Sequence, residues 1–214
     1  MENSIFDLVI APWKSEILNT AIRLKVFTAL SDQQMSAKEL SAQTNANEVV
    51  LQAVLNALVC MGLLQILKDK YKNSHLSRIY FVEGEPYYVG DFIQLLVNES
   101  SKWSKLFSIV SKGKEISDDS SASYRTFIKA MHNMGMLGEV DALINCVDLS
   151  GCPNMIDAGG GSGIYSISLC QKYPDLKSII LDRHEALDVT EEYVSKHKER
   201  ERIELRECDI TTDK

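Results

Sequence analysis

Residues 155–166 read Met155-Ile156-Asp157-Ala158-Gly159-Gly160-Gly161-Ser162-Gly163-Ile164-Tyr165-Ser166. Four glycines fall within five positions, between a short apolar run carrying an acid and a stretch with helical spacing. A strand that turns through glycines into a helix is a nucleotide-type binding loop. Glycine accepts positive φ and lets a ligand approach the backbone, and the helix that follows aims unpaired N–H groups at the same spot. A bound carboxylate or phosphate suits such a place.

Spacing narrows the ligand. A dinucleotide fingerprint counted from Gly159 needs glycines at 159, 161 and 164, but position 164 is Ile, and no Gly-Lys-Ser/Thr follows the loop. A ligand without a pyrophosphate fits better.

Downstream, helical spacing from about Gly163 to Lys172 is stopped by Pro174 and followed by a strand, Ser178 to Leu181. A second helix over about Glu185 to Lys198 leads to a third strand, Arg202 to Cys208. This β-α-β-α-β order implies a parallel sheet with right-handed crossovers. Asp157, Asp182 and Asp209 then fall at the carboxyl ends of three successive strands, the edge where such sheets bind ligands. A single Asp at a strand end is more often a turn or cap residue than a ligand contact. Three in succession favour a site: a carboxylate at 182 can accept from both hydroxyls of an unmodified ribose, and one at 209 from an adenine amino group. Only 48 residues follow Ser166, fewer than an open sheet of two mononucleotide-binding halves occupies after its first loop, so the first half of such a domain is expected.

Upstream, the chain is helical. Ile17, Leu18, Ala21, Ile22, Leu24 and Leu30 recur at three- and four-residue spacing and predict a helix from about Lys14 to Leu30. Ser36-Ala37-Lys38-Glu39 has the capping-box pattern of a short helix ending near Thr44, and Asn45-Ala46-Asn47-Glu48 starts a third helix that stops at Gly62. Leu63 to Leu67 and Tyr71 to Asn73, around Lys68-Asp69-Lys70, predict a hairpin. Three helices and a hairpin make a winged-helix outline, whose usual employment is DNA binding. The third helix carries Val49, Val50, Leu51, Val54, Leu55, Leu58, Val59 and Met61 with no Lys or Arg, so it reads as buried and unable to neutralise phosphates. A structural or dimer-forming role is expected instead, with Cys60 as a small core residue.

Tyr87, Tyr88, Phe92, Leu95, Leu96, Trp103, Leu106, Phe107 and Val110 continue the helical spacing, before a polar loop at 113–123. A further helix begins near Tyr124, carries Phe127, Ile128 and Met131, loosens at Gly135 and Gly138, and resumes through Val140, Leu143, Ile144 and Val147; the Met and aromatic positions of both runs read as core more than as cofactor contacts. Residues 1–112 are therefore expected to form one domain and residues 113–214 the other.

Composition agrees with a globular chain: 45% hydrophobic, 25% charged, net charge −7 over 214 residues. The 14 basic and 17 acidic residues up to 148, against 9 and 13 after it, leave no basic face for a nucleic acid. Five cysteines without a Cys-x-x-Cys pair favour neither a zinc site nor a disulfide framework. No apolar stretch reaches the ~20 residues of a membrane span, and the N-terminus has no basic region before its short apolar run, so a cytoplasmic protein without a membrane partner is expected.

Taken together, Phe127-Ile128-Lys129-Ala130-Met131, the glycine loop, Leu181-Asp182 and Cys208-Asp209-Ile210, after a winged-helix region, resemble the S-adenosyl-L-methionine-dependent small-molecule O-methyltransferases of plants and bacteria. The resemblance covers nearly the whole chain. It implies an α/β protein: an N-terminal, mainly helical winged-helix dimerisation domain, followed by the first half of a Rossmann-like methyltransferase domain. By it, Gly159 and Gly161 would meet the methionine part of the cofactor with Asp157 nearby, and Met131 would approach that same part. Asp182 would hold the ribose, Arg183 would flank the adenine, and Asp209 with Ile210 would contact the adenine edge and face. The acceptor would be a small-molecule hydroxyl and the assembly a homodimer; no metal is implied.

Two departures stand out. Position 135 is Gly where family members often carry a small hydroxyl residue, and the family's catalytic His and most of its acceptor pocket lie after the third strand. His132 and His184, the nearest bases, read as packing or surface residues, so no catalytic residue is assigned. The alternative is a noncatalytic dimeric or regulatory protein that keeps the fold.

Overall fold

The computed structural model describes residues 5–113 and 124–212. These fall into two compact units that divide between residues 100 and 101. The polar loop expected at 113–123 lies, apart from Gly113, outside the described residues.

The first unit holds α1 (Ile5–Arg23), α2 (Val26–Ala29), α3 (Ala37–Thr44), α4 (Glu48–Cys60), the strands β1 (Leu64–Leu67) and β2 (Lys70–Asn73), α5 (His75–Tyr80) and most of α6 (Gly90–Trp103). The helix expected over 14–30 instead starts at Ile5, runs through Pro12, and breaks at Lys25, whose φ of 56° is left-handed. The spacing that predicts the helix begins at Ile17, so it does not reach the turns before Pro12, where proline costs the helix one hydrogen bond without ending it. The capping box is formed: Glu39 N–H donates to Ser36 Oγ, and Ser36 N–H donates to Glu39 Oε2. At the end of α4, Gly62 (φ 73°) donates to Val59 O and Leu63 to Leu58 O, the paired bonds of a Schellman stop. The hairpin pairs Leu64 with Asn73 and Leu67 with Lys70 across a two-residue turn, Lys68-Asp69, with both φ positive. Phe27, Leu40, Leu55, Leu58 and Leu64 fill the core, and the Phe27 and Phe81 rings lie 5.0 Å apart.

Two expectations for α4 need correction. Only Leu51, Leu55 and Leu58 are buried, while Val49 (77% exposed), Val50 and Cys60 face outward. An apolar helix packed on one side of a small unit has a second face that the unit cannot cover, and Cys60 lies on the face of Asn56 and Ala53. Exposed apolar side chains also line the start of α1, with Ile5, Phe6, Leu8, Val9 and Trp13 each more than half exposed.

The second unit contains the end of α6, α7 (Leu106–Lys112), α8 (Tyr124–Met134), a widened turn at Gly135–Glu139, and α9 (Val140–Cys146). Then come β3 (Asn154–Ala158), α10 (Ile164–Lys172), β4 (Lys177–Asp182), α11 (His184–Val194), a 3-10 turn (Lys198–Arg202) and β5 (Ile203–Glu207). The sheet is parallel in the order β3-β4-β5, with Ala158 opposite Leu181 and Asp182 opposite Glu207. Alternation along β4 buries Ser178, Ile180 and Asp182, and Ile180 joins Ile167, Leu169, Cys170, Leu176, Val194 and Ile203 in one core. Contrary to expectation, several aromatic and Met positions of 87–134 stay out of the core: Trp103, Phe107, Phe127 and Met131 are all exposed. Helical spacing identifies a shared face but not what covers it.

Candidate functional site

Each strand end contributes one acid, and the three acids come to different surroundings. Asp157 sits beneath the glycine loop, where its Oδ2 accepts from Ser166 Oγ at 2.6 Å, and Ser166 in turn meets Ser178 Oγ at 2.8 Å. Burial pushes the Asp157 carboxyl above its ordinary value, against the Ser166 bond that lowers it, and the nearby Asp182 charge pushes it the same way as burial. Asp182 is buried at the end of β4; its Oδ2 accepts from Gly161 N–H at 2.9 Å and its Oδ1 from Arg183 N–H at 2.8 Å. Asp209 follows β5, and the Thr211 hydroxyl and amide, both donating to Oδ1, hold its carboxyl below the usual range.

The loop between β3 and α10 is pinned from several sides. Gly159 N–H donates to Leu181 O, and Thr190 Oγ1 of α11 donates to Gly161 O. Ser162 Oγ lies 3.0 Å from His132 Nδ1. At Gly160 an added Cβ would stand 2.7 Å from Ile180 Cγ2 and 2.9 Å from Asp157 Cγ, so the chain packs too closely there for any side chain. Gly163 combines a left-handed φ of 75° with the same crowding, 2.9 Å from Ile180 Cδ1. It begins α10 without a side-chain cap, leaving first-turn N–H groups directed at the loop.

A cavity of about 300 Å³ opens at this edge, lined by Tyr124, Gly159, Asp182, Arg183, Cys208, Asp209, Ile210 and Thr211. Of the residues singled out from sequence, Gly159, Asp182, Arg183, Asp209 and Ile210 meet in it. Gly161 reaches it through its bond to Asp182, Asp157 lies below the loop, and Met131 stands on α8 outside the lining. Two lining residues, Tyr124 and Thr211, carry no sequence signal for the site. Tyr124 is the more telling, because the Arg183 guanidinium lies 4.7 Å from its ring centroid, forming one wall. A larger cavity, about 420 Å³, lies near the opposite ends of β3 and β4 among residues 149–153 and 173–176. It has no glycine loop and no strand-end acid, and sheets of this type bind at their carboxyl edge.

Gly135, the departure noted in the sequence, has a physical reason here: a Cβ would come within 3.2 Å of Ile164 Cγ2, so even a small side chain would crowd the first residue of α10. His132 stacks on Tyr193 with ring centroids 3.9 Å apart, and His184 is exposed with Nδ1 3.8 Å from Glu207 Oε2. Among the described residues no cluster of three or more His, Cys, Asp or Glu is arranged to hold a metal, and no helix is long and apolar enough to cross a membrane.

A parallel sheet with a glycine loop after its first strand, an acid buried at the end of its second, and a cavity between them defines a Rossmann-like small-ligand-binding domain. The family comparisons make this specific. The O-methyltransferase domain model matches residues 87–214 and the O-methyltransferase dimerisation domain model matches residues 6–83, so the chain belongs to the O-methyltransferase family. Among curated relatives, the 3-hydroxy-5-methyl-1-naphthoate 3-O-methyltransferase of Streptomyces sahachiroi is 26% identical over 82% of this chain and 54% of its own length. The acetylserotonin O-methyltransferase of Macaca mulatta is 26% identical over 93% of this chain and 64% of its own. The crystal structure of human N-acetylserotonin methyltransferase in complex with SAM superposes with a TM-score of 0.81 at 21% identity, covering 98% of this chain and 66% of that one. The chain thus spans a little over half to about two thirds of the length of the relatives it matches.

Proposed function

We propose that the carboxyl edge of β3–β5 binds S-adenosyl-L-methionine and that the protein transfers its methyl group to a hydroxyl of a small molecule. The observation that carries this reading is Asp182: a buried carboxylate lining the cavity and oriented by two backbone N–H groups, one of them from the glycine loop. Each of its oxygens accepts one of those bonds and has a second lone pair, so the pair of ribose hydroxyls fits the donor set. In this reading Gly159 and Gly161 receive the methionine part with Asp157 supporting the loop from below, and Met131 approaches it from α8. Arg183, held against Tyr124, flanks the adenine, while Asp209 and Ile210 contact its edge and face.

The cofactor supplies an electrophilic methyl on a sulfonium. These residues orient it, and in-line placement of an acceptor oxygen with removal of its proton provides the rest of the chemistry. No residue of this chain is assigned as the base. The dimerisation match at 6–83 and the exposed apolar side chains of α1 and α4 support a homodimer through the N-terminal unit. The exposed face of α4 offers valines where a DNA-reading helix would offer cations, so nucleic acid has no part in the reading. The five free thiols suit a cytoplasmic setting.

The family match favours this reading over a noncatalytic regulatory protein. The experiment that separates the two is transfer of label from methyl-tritiated cofactor to small phenols, with cofactor binding measured in parallel. Labelled phenolic ether supports the transferase; binding without transfer to any hydroxyl acceptor favours the noncatalytic protein.

A further inference from the structure

One contact of the glycine loop is not accounted for by cofactor contacts or by the sheet. Ser162 is 4% exposed, sits between Gly161 and Gly163, and meets His132 Nδ1 at 3.0 Å. The histidine belongs to α8, one residue past Met131, and its ring face rests on Tyr193 of α11 at 3.9 Å. It therefore ties together the loop, the helix before the sheet and the helix after β4.

We propose that His132 is a positioning residue whose ring, braced by Tyr193, clasps the Ser162 hydroxyl and fixes the glycine loop against α8 in the geometry that receives the cofactor. The loop is also anchored through Asp182 at the end of β4 and Thr190 of α11, and the clasp adds a tie to α8. The ring is suited to this by its charge state. Burial, with help from the neighbouring His197 and Lys196, lowers its pKa from 6.5 to about 4, so it is neutral at pH 7 and has a nitrogen able to accept from the serine hydroxyl. The titratable groups facing it are Tyr193 on α11 and Lys196 and His197 just beyond that helix; the loop presents Ser162. An imidazole whose pKa is lowered to about 4, with its ring stacked on Tyr193 and Nδ1 engaged by Ser162, is a weak base for methyl transfer, which fits a role in holding the loop.

The inference rests on the cofactor reading for its ligand, so its test has a ligand-free arm. The whole chain is compared with His132→Ala, His132→Asn, Ser162→Ala and the His132→Ala/Ser162→Ala pair. Amide exchange at residues 161–163 is expected to quicken about tenfold in either alanine variant, no further in the pair, and by no more than about threefold in His132→Asn, whose side-chain amide can stand where Nδ1 stands. Calorimetry with S-adenosylhomocysteine is expected to show Kd weakened in the same order. Unchanged exchange in both alanine variants overturns the clasp whatever the ligand does, and so does loss of protection in His132→Ala that Ser162→Ala fails to reproduce. A wild-type chain that gives no heat while the exchange pattern holds overturns the cofactor reading and leaves the clasp standing.

Discussion

Replacing Gly163 with alanine tests how tightly the loop is built into the sheet. At φ 75° an L-residue costs about 1–2 kcal/mol relative to an ordinary backbone conformation. The new Cβ would also stand 2.9 Å from Ile180 Cδ1 and 3.2 Å from both Thr190 Cγ2 and Val194 Cγ2, all from fully buried residues. Overpacking of that kind adds about 1–3 kcal/mol, because either β4 or α11 must give way. Gly151 is the internal control: its φ is 82°, but a Cβ there meets nothing within 4 Å. Gly151→Ala therefore carries the backbone cost alone, and the two variants should differ by about 1–3 kcal/mol. Native-state hydrogen exchange at the β4 amides reads this directly, since opening the three-stranded sheet exposes them. Exchange in Gly163→Ala should exceed that in Gly151→Ala by about 5- to 150-fold. Equal acceleration in the two would refute the packing argument.

Other expectations follow from the same geometry. Arg183→Ala removes the partner of the Tyr124 ring, and S-adenosylhomocysteine affinity should fall about three- to tenfold by calorimetry; no change would remove that wall from the site. Asp157 binds its proton more tightly folded than unfolded, so its contribution to stability falls as pH rises from the ordinary 3.8 through its raised value and stays low above it. Denaturation at pH 4 and pH 7 should therefore show Asp157→Asn gaining stability relative to wild type at the higher pH, and a pH-independent difference would count against the burial argument. His132 is lowered rather than raised, so its contribution is full above about 6.5 and is lost as pH falls toward about 4; His132→Asn should flatten stability over that window. Sedimentation at micromolar concentration should give a dimer, weakened by Val9→Glu or Trp13→Glu; a monomeric wild type would contradict the proposed interface.

Much of this structure is legible in the chain because local chemistry dictates it. The capping box at Ser36 and Glu39, the stop at Gly62 and the glycine loop each rest on neighbours a few residues apart, and each forms as the sequence implies. Asp182 and Asp209 are readable as site residues because strand ends in a parallel sheet converge on one edge. Tyr124 and His132 are not readable in this way, since their partners Arg183, Ser162 and Tyr193 come from distant parts of the sequence and only packing brings them together. Burial is the other weak point. The apolar character of α4 suggests a buried helix, yet whether Val49 is covered depends on what packs against that face, which periodicity does not contain. The first helix shows a further limit: apolar spacing places it over 14–30, but it takes in the exposed apolar residues from Ile5 onward and breaks at Lys25.

The central claim is that the edge holding Asp182 is a cofactor site. Titration calorimetry of the chain with S-adenosyl-L-methionine and S-adenosylhomocysteine, beside Asp182→Ala, tests it directly. Saturable heat from both ligands, lost in Asp182→Ala, is the expected result; no heat at millimolar ligand, or identical titrations from the two proteins, would contradict it.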